Sequence, residues 1–538
     1  PAEQLSTVLR DGFGGKADLL AECATYAHDP DCYKTSLANM DAATPASIRA
    51  AATEWLTPNH YTLTISPFAE VKAGTAKVDR SKGLPETTSF PDLAFPSIQR
   101  GATKNGIEVV LAERHEVPVV QMRMIFDAGY AADQGRKLGT ASFTMNMLDE
   151  GTKTRDAIAI AARSEELGAQ IGAFNSLDIS GATLSALKTE LVGSLDLFAD
   201  VVRNPAFDAK EMVRVKGQWM AQIAQEKTSP NALGMRVLPP LLYGEGHAYA
   251  IPLTGSGTEA SITSLTPEDL ATFHRDFVRA NNARIIVVGD TTMAEITAEL
   301  NRVFGDWPSD KMKRPDKNIA EVAVQSKPRI FLIDKPNAEQ SVILAGQLIP
   351  SSKAADRQVT QTANSVFGGE FTARINMNLR EDKHWAYGAY SYASGALGQR
   401  PLMVSAGVQS DKTIESIKEL QREFVEYSGT RPPTDAEILK IKIGDVRSLP
   451  GSFETAAAVL GALSDIVIYG RPDDYVQTLK ASIEAQNDKD IAAAAKKYFQ
   501  PDALTWVVVG DLSKIETGIR ALNIGELKVL DADGKILR

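Results

Sequence analysis

Six histidines, two cysteines and one glycine-rich run are the first places to look for chemistry, and all fail on spacing. His28, His60, His115, His247, His274 and His384 never fall three or four residues apart, so no helix face presents two imidazoles to a metal. The chain by itself is therefore expected to hold no catalytic zinc. Gly14-Gly15-Lys16 looks like the end of a phosphate loop but lacks the upstream glycine and the preceding strand. There is no Gly-x-Ser-x-Gly elbow, and neither Cys23 nor Cys32 has a helper for nucleophilic chemistry. One segment stands apart, Phe367-Gly-Gly-Glu-Phe-Thr-Ala-Arg374 running on through Arg380 to Tyr387 and Tyr390. Taken alone, Arg380 reads as a solvated cation at a helix end and Tyr387 as a packed strand aromatic.

The elements that must carry these residues show an internal repeat. Residues 44–66, 266–290 and 487–511 are copies of one helix-strand module. Each opens on an N-cap residue, Thr44, Thr266 or Asn487, and its helix ends in a bulky apolar pair, Trp55-Leu56, Phe277-Val278 or Tyr498-Phe499. A strand follows, at 61–65, 284–288 and 504–509. The first copy sits so near residue 1 that it is expected to belong to a fold begun upstream. Residues 68–97 are polar, carry Pro85, Pro91 and Pro96, and read as a linker. Beyond it, two successive units repeat the order hairpin, helices, strands, helices, closing module: 98–325 and 326–538. Strands are expected at 107–111, 119–126, 330–334 and 341–347, and helices at 138–148, 208–226, 355–380 and 433–448, among others. Antiparallel hairpins alternating with helices make the class α+β, two-layer units of mainly antiparallel sheet covered by helices.

Composition sets the outer bounds. At 538 residues, 43% apolar and 23% charged, the chain has length for several domains, and its net charge of −10 with no basic block points away from nucleic acid. No apolar run approaches the ~20 residues needed to span a bilayer. Cys23 and Cys32 flank the turn His28-Asp29-Pro30-Asp31; a bridge there would add roughly 2–3 kcal/mol, and two isolated thiols are the alternative.

The segment from Phe367 to Tyr390 resembles the C-terminal half of the pitrilysin and insulinase type zinc peptidases, in the branch with bacterial relatives of the mitochondrial processing peptidase. The resemblance extends over Asn105-Gly106, Ala128-Gly129, Gly139, Gly151-Thr152 and Gly289-Asp290. It implies a clamshell of two homologous halves around a chamber, one half holding zinc and the other contributing an Arg and a Tyr. Here those match Arg380 and Tyr387, and the resemblance implies that the guanidinium holds a substrate carbonyl while the phenol donates to the developing oxyanion.

The family's His-x-x-Glu-His zinc motif falls on Ser142-Phe143-Thr144-Met145-Asn146, and the third ligand on or near Gln222. Serine and neutral amides are poor zinc ligands, and a thioether takes no proton from water. The resemblance thus implies that 98–538 is a complete Arg/Tyr half and 1–67 the end of a zinc-bearing half. Zinc and the general base would come from that partner half, in the same precursor or a separate chain, and the substrate would be peptides or unfolded segments. Alternatives are a structural core-type subunit and a peptide-binding pseudoenzyme. The expected compartment is the periplasm, with the cytoplasm as the alternative.

Overall fold

Thr44, Thr266 and Asn487 each cap a helix in the computed structural model, which describes residues 15–57, 62–63, 89–309 and 313–538. Thr44 and Thr266 form capping boxes with Ser47 and Asp269, and Asn487 accepts from the Asp490 amide, so three equivalent side chains satisfy three equivalent orphan donors. The chain divides into two compact units, 1–93 and 94–538.

In the first unit, α1 (Lys16–Glu22), α2 (Cys32–Asp41) and α3 (Pro45–Trp55) bury none of their own residues. A Cys23–Cys32 disulfide joins the end of α1 to the start of α2 across 2.10 Å. Trp55 and Leu56 stay 78% and 82% exposed. Most of the strand expected at 61–65 and of the linker at 68–97 lies outside the described residues.

The second unit holds two six-stranded sheets covered by helices. The first contains β1 (Ile98–Ala102), β2 (Glu108–Glu113), β3 (Val119–Phe126), β4 (Gln170–Asn175), β5 (Ser180–Leu187) and β6 (Ala283–Gly289), in the order β1-β2-β6-β3-β5-β4. Alternation in β3 puts Val120, Met122, Met124 and Phe126 on one buried face. Only β2 and β6 run parallel. Around this sheet lie α4 (Thr140–Asn146), α5 (Ala209–Thr228), α6 (Pro230–Tyr243) and α7 (Pro267–Phe277).

The second sheet contains β7 (Arg329–Asp334), β8 (Gln340–Ile349), β9 (Ala386–Ala393), β10 (Arg400–Gln409), β11 (Thr505–Gly510) and β12 (Glu526–Leu530), in the order β12-β7-β11-β8-β10-β9. With it come α8 (Arg357–Asn364), α9 (Asp435–Ser452), α10 (Ala456–Tyr469), α11 (Tyr475–Glu484) and α12 (Asp488–Tyr498). The repeat modules close both sheets in the same way: α7 leads into β6 and α12 into β11, each third in its sheet.

The sheets exchange helices. Leu233, Val237 and Leu238 of α6 pack on Leu344, Val507 and Val509 of the second sheet. Conversely, Val459, Leu460 and Leu463 of α10 pack on Val110, Ile125 and Ile286 of the first. At the closest approach a Cβ on Gly234 would stand 2.3 Å from Leu344 Cδ1, so glycine lets α6 lie against β8.

The long helix expected over 355–380 is broken. α8 stops at Asn364, a wide turn covers 365–369, Glu370 and Ala373 take extended backbone, and helix resumes at Arg374. Close packing supplies the reason, because a Cβ on Gly368 would meet Ser391 Oγ of β9 at 2.5 Å and Ile375 Cδ1 at 2.6 Å. The helix expected over 433–448 runs on to Ser452, and α10 follows it.

Candidate active site

The helix that carries Ser142, Met145 and Asn146 is short and its start is held by Asp133, whose carboxylate accepts from the amides of Gly139 at 2.7 Å and Ala141 at 2.8 Å. Burial pushes the Asp133 carboxyl up to about 7 against those two bonds. On α4, Met145 is 1% exposed and belongs to the core, Ser142 is half-buried and Asn146 is exposed. Gln222 lies exposed on α5, its amide 3.3 Å from Glu226 Oε1. Glu226 is itself engaged: Arg236 Nη1 donates to it at 2.6 Å and Ser256 Oγ at 2.7 Å. The donor set does not suit zinc. Among the described residues no group of three or more His, Cys, Asp or Glu is placed to hold a metal.

Arg380 and Tyr387 come together at the edge of the second sheet. The helical stretch 374–382 carries Arg380 and turns through His384, which adopts φ 59°, into β9. The His384 amide donates to Arg380 O at 3.2 Å and the Trp385 amide to Leu379 O at 2.9 Å, so the last helical carbonyls are satisfied. The β9–β10 register pairs Ala386 with Val408 and Gly388 with Gly407, leaving Tyr387 as the extra residue of a bulge. A bulge re-aims its side chain, and Tyr387 is 86% exposed where a packed strand aromatic was the simpler expectation.

The Arg380 guanidinium lies between two rings, 4.4 Å from the centroid of Phe371 and 5.5 Å from that of Tyr387. Its Nη1 is buried without a hydrogen bond and passes 3.3 Å from Glu381 Oε1. The pair therefore offers a held cation with donors to spare beside a phenol in the open.

Support for this arrangement comes from asparagines and one ion pair. Asn376 Oδ1 accepts from the Ala389 amide at 3.0 Å, and Asn364 Nδ2 donates to Ser391 O at 3.0 Å, so side chains cover the outer edge of β9. Arg374 donates to Glu437 through Nε at 2.7 Å and Nη2 at 2.6 Å, tying the stretch to α9. Burial opposes ionisation of Glu437, but those bonds together with Thr434's bring its carboxyl down to about 2. Phe371, Asn376 and Glu437 were not singled out in the sequence. The Gly-Gly-Glu-Phe-Thr run was the available signal for Phe371, whereas nothing local marks Asn376 or Glu437.

The fold and sequence are shared with known proteins. A model of the family "Insulinase (Peptidase family M16)" matches residues 108–245, and one for the "Peptidase M16 inactive domain" matches 264–444. The chain belongs to this pitrilysin and insulinase type family. A "Non-peptidase homolog YmxG" of Helicobacter pylori is 23% identical, over 76% of this chain and 93% of that protein. An "Uncharacterized zinc protease YmxG" of Bacillus subtilis is 24% identical, over 60% and 77%. The crystal structure of an M16 inactive domain from Pseudomonas fluorescens superposes with TM-score 0.71 at 29% identity, covering 77% of this chain and 98% of that one. The periplasmic protease PqqL of Escherichia coli shares the fold at 15% identity and TM-score 0.64, over 80% of this chain and 50% of that one.

Proposed function

We propose that the chain supplies the Arg/Tyr half of a zinc-dependent metalloendopeptidase that cuts peptides or unfolded segments in a chamber closed by a homologous zinc-bearing half. One observation carries the reading: Tyr387 is turned out of its strand by a bulge and exposed beside a guanidinium held between aromatic rings. Arg380 would hold a substrate carbonyl, and the Tyr387 hydroxyl would donate to the oxygen that gains charge at the scissile bond. The metal and the general base belong to the other half, since Ser142, Met145, Asn146 and Gln222 leave this one without ligands. Relatives named zinc protease support the cofactor assignment.

The three module copies support a partner half. Phe277, Val278, Tyr498 and Phe499 are no more than 5% exposed, whereas Trp55 and Leu56 at the equivalent positions are 78% and 82% exposed. Burial of such a pair is worth about 3–6 kcal/mol. We accordingly take 1–67 as the end of the zinc-bearing half, 68–97 as linker, and 98–325 and 326–538 as the two units of this half. Periplasmic location is supported by the Cys23–Cys32 disulfide and by the likeness to PqqL.

The name of the Helicobacter relative favours a second reading, a non-catalytic structural or peptide-binding protein of this fold. Reconstitution with the zinc-bearing half separates the two. Cleavage of an unfolded protein should need both halves and fall on Tyr387→Phe. Equal cleavage by the zinc-bearing half alone, or no cleavage by the pair, would leave the second reading.

A further inference from the structure

Helices α8, α9, α10 and α11 line an open cavity of about 300 Å³ apart from the Arg380 site. Two arginines line it, Arg357 from α8 and Arg471 from the turn after α10. The Arg471 guanidinium is stacked 5.0 Å from the Tyr469 ring centroid and 4.5 Å from that of Tyr475. Its Nη1 lies 3.6 Å from Asp465 Oδ2, but its Nη2 is buried without an acceptor. Arg357 donates from Nη1 to the Tyr475 hydroxyl at 3.2 Å, and its Nε is likewise buried without an acceptor. Each of these two lining residues thus keeps a guanidinium donor unmet by the protein, which native structures seldom leave.

The local charge is positive. Arg400, 4% exposed, is pushed down to about 10 by burial and then by Arg357 and Arg471. Arg123 acts on the same Asp465 as these two. Three guanidinium groups, of Arg471, Arg357 and Arg123, thus act on the Asp465 carboxylate, while Arg400 is near Asp356. A second acid, Asp445, is on the wall; burial and then the charge of Glu370 push its carboxyl up. Leu449, Phe453, Val476, Leu479 and Ile483 give the cavity an apolar side, and Gln358, Gln361 and Ser448 add polar groups.

We propose that this cavity binds the carboxylate of a small apolar acid, which pairs with the Arg357 and Arg471 guanidinium groups while its hydrocarbon part lies against Leu449, Phe453 and Val476. The acid is either the C-terminal residue of a peptide or a free short fatty acid. This inference is independent of the peptidase reading.

Calorimetric titration of the full chain tests it with N-acetyl-leucine, 4-methylpentanoate, N-acetyl-leucinamide and sulfate. At least one of the two acids should bind at least about tenfold more tightly than the amide or sulfate, the difference expected of a charge-assisted pair seated on apolar walls. Tighter binding of N-acetyl-leucine assigns a peptide terminus; equal or tighter binding of 4-methylpentanoate assigns a fatty acid. Arg471→Gln and Arg357→Gln should each weaken the acid about tenfold or more. An amide or sulfate that binds as well as the acids overturns the proposal, as does the absence of binding by either acid, or full affinity in both folded variants. Should the variants fail to fold, the contrast of acid with amide and sulfate in the unaltered chain decides.

Discussion

A phenol held out in solvent contributes little to folding, so Tyr387→Phe should leave stability within about 0.5 kcal/mol. In the reconstituted enzyme the same change should lower kcat by roughly 10–1,000-fold with a smaller effect on KM, because the lost bond strengthens as charge develops. If Arg380 holds a substrate carbonyl as proposed, Arg380→Ala should mainly raise KM, since such a clamp acts on ground and transition states alike. Steady-state kinetics on both variants checks the split, and wild-type turnover in both would remove the pair from the mechanism. Arg236 gives a contrasting residue: with side chains 3% and 10% exposed, Arg236 and Glu226 are a buried ion pair. Arg236→Ala strands the Glu226 charge and should cost about 3–5 kcal/mol in urea denaturation; a loss below about 1 kcal/mol would mean that water replaces the guanidinium.

For the helical stretch 374–382, the anchor to α9 has a pH signature. The folded Glu437 carboxyl, at about 2, lies below the usual 4.5, so the pair's stabilisation is fully present above pH ~4.5 and is lost as pH falls through 2. Glu437→Gln should lower stability at neutral pH and reduce its loss between pH 4.5 and 2, read as chemical denaturation midpoints across that range. Identical acid profiles for the two proteins would show that the anchor is not what the acid limb reports. Asp133, which holds the start of α4, has the opposite sign, with stability fully present below pH ~4 and lost as pH rises through about 7.

Across the second unit, the exchange of α6 and α10 predicts shared cooperativity. Trp219 and Trp307 pack with the first sheet's core and Trp506 lies in the second sheet, yet the first core runs through α6 onto Leu344, Val507 and Val509 of the second sheet. Tryptophan fluorescence and far-ultraviolet circular dichroism should therefore follow one unfolding transition; two separated transitions would show that the sheets fold independently. Gly234→Val should cost about 1–3 kcal/mol by driving α6 from Leu344 and should shift that single transition as a whole.

Local sequence determined the helix caps, because Thr44, Thr266 and Asn487 act on amides three residues away. It also determined the buried face of β3, which follows from a period of two. The link between Arg380 and Tyr387 was legible through a motif within one turn and one strand. Tertiary structure decided the rest. The break at 365–373 depends on β9 packing against Gly368, and the bulge at Tyr387 on a register shared with β10. Glu437 reaches Arg374, and α6 and α10 cross to the opposite sheets, over separations that no local period encodes. Such contacts form only when segments distant in sequence close on one another, and the cost of that closure is met by burial of the whole core rather than by any single segment.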